Sequence, residues 1–304
     1  MAKTRALLGL CLYLLCIAAF AASVSVDDVY TEVLRIERET TLMQRVLGVS
    51  AEARVAVPIE ANLLPRHSLA QSYVLFSKIN FFKHQSGMLT TPIALLEPYR
   101  DIEPFQSWGE MQRILAEIAI VKRKLEITES IDPVPPTSGK RPVDVFNHLR
   151  QISEAWNTLL GVGILPAHVY VEATRLAEES RILLTYLGIA DNAAPPTKNP
   201  QALPADSLKE VFAALTEIQH LQARAGIATV DFSTFRKTKD VLPDDVLTML
   251  TLTLGELQTL KAHVGLRQNV TPTLSYYTEK QPADVQQVVG YATNRLRLLR
   301  SLER

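Results

Sequence analysis

Residues 26–48 read VDDVYTEVLRIERETTLMQRVLG, and residues 166–188 read PAHVYVEATRLAEESRILLTYLG. At an offset of 140, Val29, Tyr30, Glu32, Arg35, Glu39, Leu47 and Gly48 recur as Val169, Tyr170, Glu172, Arg175, Glu179, Leu187 and Gly188. The correspondence extends outward from this pair. Leu64, Pro65, Ser68, Leu69, Ile79 and Gly87 match Leu203, Pro204, Ser207, Leu208, Ile218 and Gly226. Glu117 and Lys122 match Glu256 and Lys261, and Pro142, Asp144 and Val145 match Pro282, Asp284 and Val285.

A recurrent mark organises both copies: proline, any residue, a polar residue, then apolar residues. It stands at Pro65, Pro104, Pro142, Pro166, Pro204, Pro243 and Pro282, with Val26 in the same place in VDDVY. Proline suits the first turn of a helix, where its missing N–H has no partner to lose. The polar residue beyond it can cap free amides, and His67, His168, Asp28, Asp144, Asp206 and Asp284 all share that position. Each mark precedes about 20 residues of helical periodicity. Val29, Val33, Ile36, Thr40, Met43 and Leu47 share one face of the first stretch, and Leu247, Leu250, Leu254, Leu257 and Val264 one face of the seventh. Gly48, Gly87, Gly161, Gly188, Gly226 and Gly265 close such stretches.

The pattern predicts an all-α chain of eight amphipathic helices, a tandem duplication of a four-helix unit. Two four-helix bundles packed together fit best, with a helical solenoid as the alternative. The expected division is a signal peptide over 1–22, a first repeat over 23–163 and a second over 164–304. The link 161–165 is short, so the halves should touch. Connections of roughly 13 to 16 residues within each half exceed usual bundle loops and leave the helix directions open.

Residues 1–22 differ in kind. Lys3 and Arg5 precede an apolar run from Ala6 to Phe20, and Ala19-Phe20-Ala21 has the small-x-small form of a cleavage site. Cleavage would remove Cys11 and Cys16, leaving a cysteine-free mature chain with an excess of two acids. Leu15 before Cys16 speaks against lipidation. The expected location is periplasmic or secreted, without membrane insertion after cleavage. The formal net charge of zero supplies no field for nucleic acid.

Signatures of chemistry are scarce. The sequence has no Gly-rich phosphate loop, CxxCH, HExxH or GxSxG. Glu217 and His220 have the Glu-x-x-His spacing of di-iron bundles, but the other repeat has Lys78 and Phe81 there, so a surface Glu and a boundary His are expected, with no metal and no cofactor. The strongest polar constellation is Glu32, Arg35 and Glu39 with its copy Glu172, Arg175 and Glu179. It reads first as a salt-bridged seam between helices and second as a ligand or partner contact. Tyr276 and Tyr277 are a candidate recognition pair that could instead cover a bundle end. Arg295, Arg297, Arg300 and Arg304 would complement a helix C-terminus or form a docking patch. The function expected is a non-catalytic exported scaffold for another periplasmic or envelope protein. The alternative is a small-molecule binding or sensory module with its ligand between helices or between repeats.

Overall fold

The computed structural model describes residues 23–49, 55–272 and 277–300. Residues 1–22, which hold both cysteines and the expected signal peptide, lie outside them, as do Tyr276 and Arg304. The described residues form eight α-helices, a 3₁₀ turn (Ser233–Phe235) between the sixth and seventh, and no strand. The helices are α1 (Val26–Val46), α2 (Pro65–Gln85), α3 (Pro104–Lys124), α4 (Pro142–Leu160), α5 (Pro166–Tyr186), α6 (Pro204–Arg224), α7 (Pro243–His263) and α8 (Pro282–Leu298). All eight starts fall on the marks read from the sequence.

One local device sets every start. The third residue of each helix turns its side chain back to accept the backbone N–H of the residue before the helix. Asp28, His67, Gln106, Asp144, His168, Asp206, Asp245 and Asp284 do this over 2.8 to 3.1 Å. The acceptor satisfies an amide with no helical partner, and the carboxylates also oppose the helix dipole.

The ends share a device too. In α5, Gly188 takes φ +70° and the Ile189 N–H returns to the Leu184 carbonyl at 3.0 Å, a Schellman ending. The same bond closes α3, from Ile127 to Lys122 at 2.9 Å, but there Glu126 holds the left-handed position at φ +58°. A side chain is strained in that conformation. Glu126→Gly should therefore raise stability by about 0.5–1 kcal/mol, net of the greater freedom of glycine in the unfolded chain. Denaturant unfolding checks this, and a loss of stability would contradict it.

All four helices of each half run parallel. In the second half Pro166, Pro204, Pro243 and Pro282 line one cavity of about 10 Å³ with Val169, Ser207, Val246 and Val285, so four first turns meet at one end. In the first half α1 follows α4 in step. Tyr30 meets His148 at 2.9 Å near the starts, Trp156 donates to Thr40 at 3.1 Å midway, and Gln44 donates to Thr158 at 2.8 Å near the ends. The connections make this possible. They are 17 or 18 residues long, somewhat more than the sequence suggests. That length can extend roughly 56 Å, ample to return along a helix of about 31 Å. The return after α1 runs antiparallel to α4: Ala56 donates to Gln151 at 3.0 Å, Arg150 to the Val57 carbonyl at 2.9 Å, and Ile59 to Asn147 at 2.9 Å.

The helix neighbours are the same in both halves. α1 packs on α3 and α4, and α2 on the same two; α5 packs on α7 and α8, and α6 on the same two. Side-chain contacts recur with them. Ser68 donates to the Pro142 carbonyl at 2.7 Å as Ser207 does to Pro282 at 2.9 Å. Lys140 lies 4.4 Å over the Tyr30 ring as Lys280 lies 4.5 Å over Tyr170.

The halves meet mainly through α2 and α7, which cross antiparallel. Arg66 pairs with Glu256, Ala70 lies 3.6 Å from a Cβ placed on Gly255, and Lys78 pairs with Asp244. The junction corrects one expectation. Not every helix is amphipathic: α2 is buried without a break from Arg66 to Lys83, and α7 almost so from Val246 to Lys261. Each is enclosed by its own bundle on one side and by the other bundle opposite. For the same reason Leu254 is 1% exposed while its counterpart Leu115 is only partly buried.

Candidate functional site

The two polar ladders are seams between helices, and the junction makes them unequal. In the first, Arg35 pairs with Glu32 at 2.8 Å and Glu39 reaches Lys122 of α3 at 2.6 Å. A groove of about 310 Å³ runs beside this pair, between Leu115, Lys122 and Glu129. In the second, Arg175 pairs with Glu172 at 3.0 Å and Glu179 with Lys261 of α7. Glu179 also accepts from Gln258 at 3.2 Å and from the Val270 N–H at 3.0 Å, and neither Glu179 nor Lys261 is exposed. This copy lies sealed behind the return segments, where Asn269 donates to the Leu96 carbonyl. Tyr277 packs edge-on against Tyr170, 5.0 Å between ring centres, under Lys280. It covers a bundle end.

The remaining candidates are also engaged. Glu217 is buried, not at the surface, and meets Arg297 at 3.3 Å and Arg300 at 2.8 Å. Arg295 pairs with Asp191 and donates to the Ala177 carbonyl at 2.6 Å. The closing arginines thus tie α8 to α6 and to the return after α5. No group of three or more metal-capable side chains gathers among the described residues, and no helix there is long and apolar enough to cross a membrane.

A buried polar network joins the halves. Glu256 receives Arg66 at 2.7 Å, His67 at 2.6 Å and Gln222 at 2.8 Å. Because His67 Nδ1 accepts the Leu64 N–H, its proton sits on Nε2 and is donated to Glu256. Burial holds His67 below its ordinary range, so the ring is neutral. Burial alone would raise the Glu256 carboxyl, but the bonds from His67 and Arg66 more than offset it and hold it at about 2.

Glu110 of α3 behaves oppositely. Burial pushes it up to about 7, and Arg113 at 2.7 Å offsets only part of this. A carboxyl whose folded value is raised contributes stability that is complete below its unfolded value of 4.5 and lost as pH rises through 7. Glu110→Gln should thus stabilise the protein at pH 8, by about 1–3 kcal/mol, and change little at pH 5. Thermal melts at the two pH values decide, and an equal shift at both would refute the assignment.

Two features remain as places where something could bind. One is a cleft of about 600 Å³ where the halves meet, walled by Val55, Val57, Arg150, Phe235, Lys237 and Met249. In its lining, Gln71 Oε1 and Ser153 Oγ are buried without a hydrogen-bond partner. The other is the outer face of α3. Met111, Ile114, Ile118 and Val121 face the core, while Phe105 (59% exposed), Trp108 (37%) and Ile120 (45%) lie on the opposite side with exposed Ala116 and Ala119. Neither feature was among the residues singled out from sequence, although the second apolar stripe of α3 is visible there.

No family model, curated protein or solved structure matches the chain.

Proposed function

We propose that the chain is exported, loses its leader segment, and serves as a non-catalytic scaffold that receives a helix of another exported chain on the outer face of α3. The observation that carries this reading is the paired role of one repeat position. Ala116 on α3 corresponds to Gly255 on α7, and the α7 face centred on Gly255 is covered by α2. In the first half the same face is bare and mostly apolar, with Gln112 between Trp108 and Ala116. Large exposed apolar stripes of this kind mark interaction sites. A photo-crosslinker at Ala116, introduced in the native host, should yield a defined protein adduct that Trp108→Arg abolishes. The same probe at Arg181, on the exposed side of α5, should yield none. Absence of an adduct at Ala116 would overturn the proposal.

A second reading, a small-molecule binder, is favoured by the inter-bundle cleft with its two unpartnered polar atoms. Buried polar atoms without partners call for a ligand or water. That reading expects a ligand with a hydrogen-bond donor for Gln71 and an apolar part for Val57 and Phe235. Melting-temperature gains from amide- or hydroxyl-bearing compounds, lost in Ser153→Val with Gln71→Met, would support it.

A further inference from the structure

The internal junction joins unlike positions of the repeat: α2 is a second helix and α7 a third. What it leaves uncovered is again one of each, α3 as a third helix and α6 as a second. Resting on the docking role of α3, we infer that its occupant is a second copy of this chain, which lays α6 on α3 head to tail.

Three observations support the pairing. First, it continues an interface that the molecule already makes. Contacts between unlike faces are head to tail and extend until a ring closes, so each added copy of an open chain again presents α3 at one end and α6 at the other. Second, the sizes fit. The register of the junction sets Arg66 beside Glu256, Ala70 beside Gly255 and Lys78 beside Asp244. Shifted by the repeat spacing, it puts Trp108 opposite Ala213 and Thr216, Ile120 opposite Ala205, and Phe105 opposite the turn at Glu217. Large residues on α3 thus meet small ones on α6, whose positions 205, 213, 216 and 223 are all Ala or Thr and half-buried or exposed. The internal junction has the same division reversed, with Gly255 and Thr251 on α7 under the bulkier α2. Third, like charges are few: Arg113, the arginine nearest Lys209 in this register, is already paired with Glu110. Lys209 falls against Gln112 and Ala116, where its stem can lie along the apolar face with the ammonium in water, and Arg123 falls beyond the end of α6.

Sedimentation velocity on the natively processed protein tests this. The wild type should grow with concentration past the dimer. Ala116→Arg on α3 and Thr216→Arg on α6, both at exposed positions, should each weaken association by ~100-fold or more. Trp108→Ser serves as a second α3 variant, and circular dichroism establishes that all three stay folded. The deciding arm mixes Ala116→Arg with Thr216→Arg. Each retains the face that the other has lost, so the mixture should form dimers and stop there. A wild type that stays monomeric would overturn the inference, as would association abolished by Ala116→Arg but untouched by Thr216→Arg, which would mean α3 against α3. A crosslinked adduct at Ala116 with a different protein, alongside a monomeric wild type, would sink the self-association alone and leave the docking role standing.

Discussion

Lys261→Ala is expected to destabilise the protein by about 3–5 kcal/mol, whereas Lys122→Ala, at the matching position of the other half, should lose no more than about 1 kcal/mol. Both lysines pair with the third residue of a ladder, Lys261 with Glu179 and Lys122 with Glu39. The difference lies in the surroundings. Glu179 and Lys261 have no exposed side-chain surface, so removing the lysine strands a carboxylate in the interior. Lys122 and Glu39 are 12% and 19% exposed, and water can take over when the pair is broken. Denaturant unfolding of the two variants gives the comparison directly. Equal losses would mean that the second bundle is not shielded as described. The double variant Lys261→Met with Glu179→Leu should recover most of the loss, because apolar residues of similar volume can replace a buried pair at little or no net cost.

Glu256→Ala should have a comparable effect, about 3–5 kcal/mol, and should also alter the pH dependence. The substitution leaves Arg66 and His67 of the first half buried opposite an empty acceptor. The Glu256 carboxyl is held at about 2 against an unfolded value of 4.5, so its contribution is complete above 4.5 and is lost as pH falls towards 2. His67 and His168 are neutral groups held below 6.5, the latter at about 4 through burial and the nearby His84 charge. Their contributions are likewise present above 6.5 and lost on acidification. Wild-type melting temperature should therefore fall most steeply between about pH 4.5 and pH 2, since from 6.5 down to 4.5 the histidine losses are opposed by the gain from Glu110, and the steep part should be shallower in Glu256→Ala. An unchanged slope would show that Glu256 is not the carboxylate that binds the halves together in acid.

The helix starts were legible because their cause is local. A proline at the first position and an acceptor at the third act within four residues, whatever the rest of the chain does. Helix direction was not legible, since an apolar stripe has the same period whether the helix runs up or down. Only the length of the connections hinted at a return. The two ladders could be read as seams, but not that one is sealed and the other open, because that depends on which bundle lies behind α7. The α3 face was missed for a related reason. One stripe, Met111 to Val121, suffices to hold the helix in its bundle. The opposite stripe has no bearing on the fold and stands out only once every neighbour of α3 is placed. Gln71 and Ser153 carry no sequence signal at all, since a missing partner is a property of packing.

Parallel helices underlie the whole account, because they bring the four first turns together, set the junction register and leave α3 bare. The most direct test uses spin labels on cysteines placed at Leu203 and Leu242, the exposed residues that precede the adjacent helices α6 and α7. If the helices run parallel, the labels sit at the same end, with a separation close to the roughly 10 Å between neighbouring axes plus the label arms. An up-and-down bundle would set them a helix length apart, about 31 Å before the label arms are added, and that result would contradict the structure described.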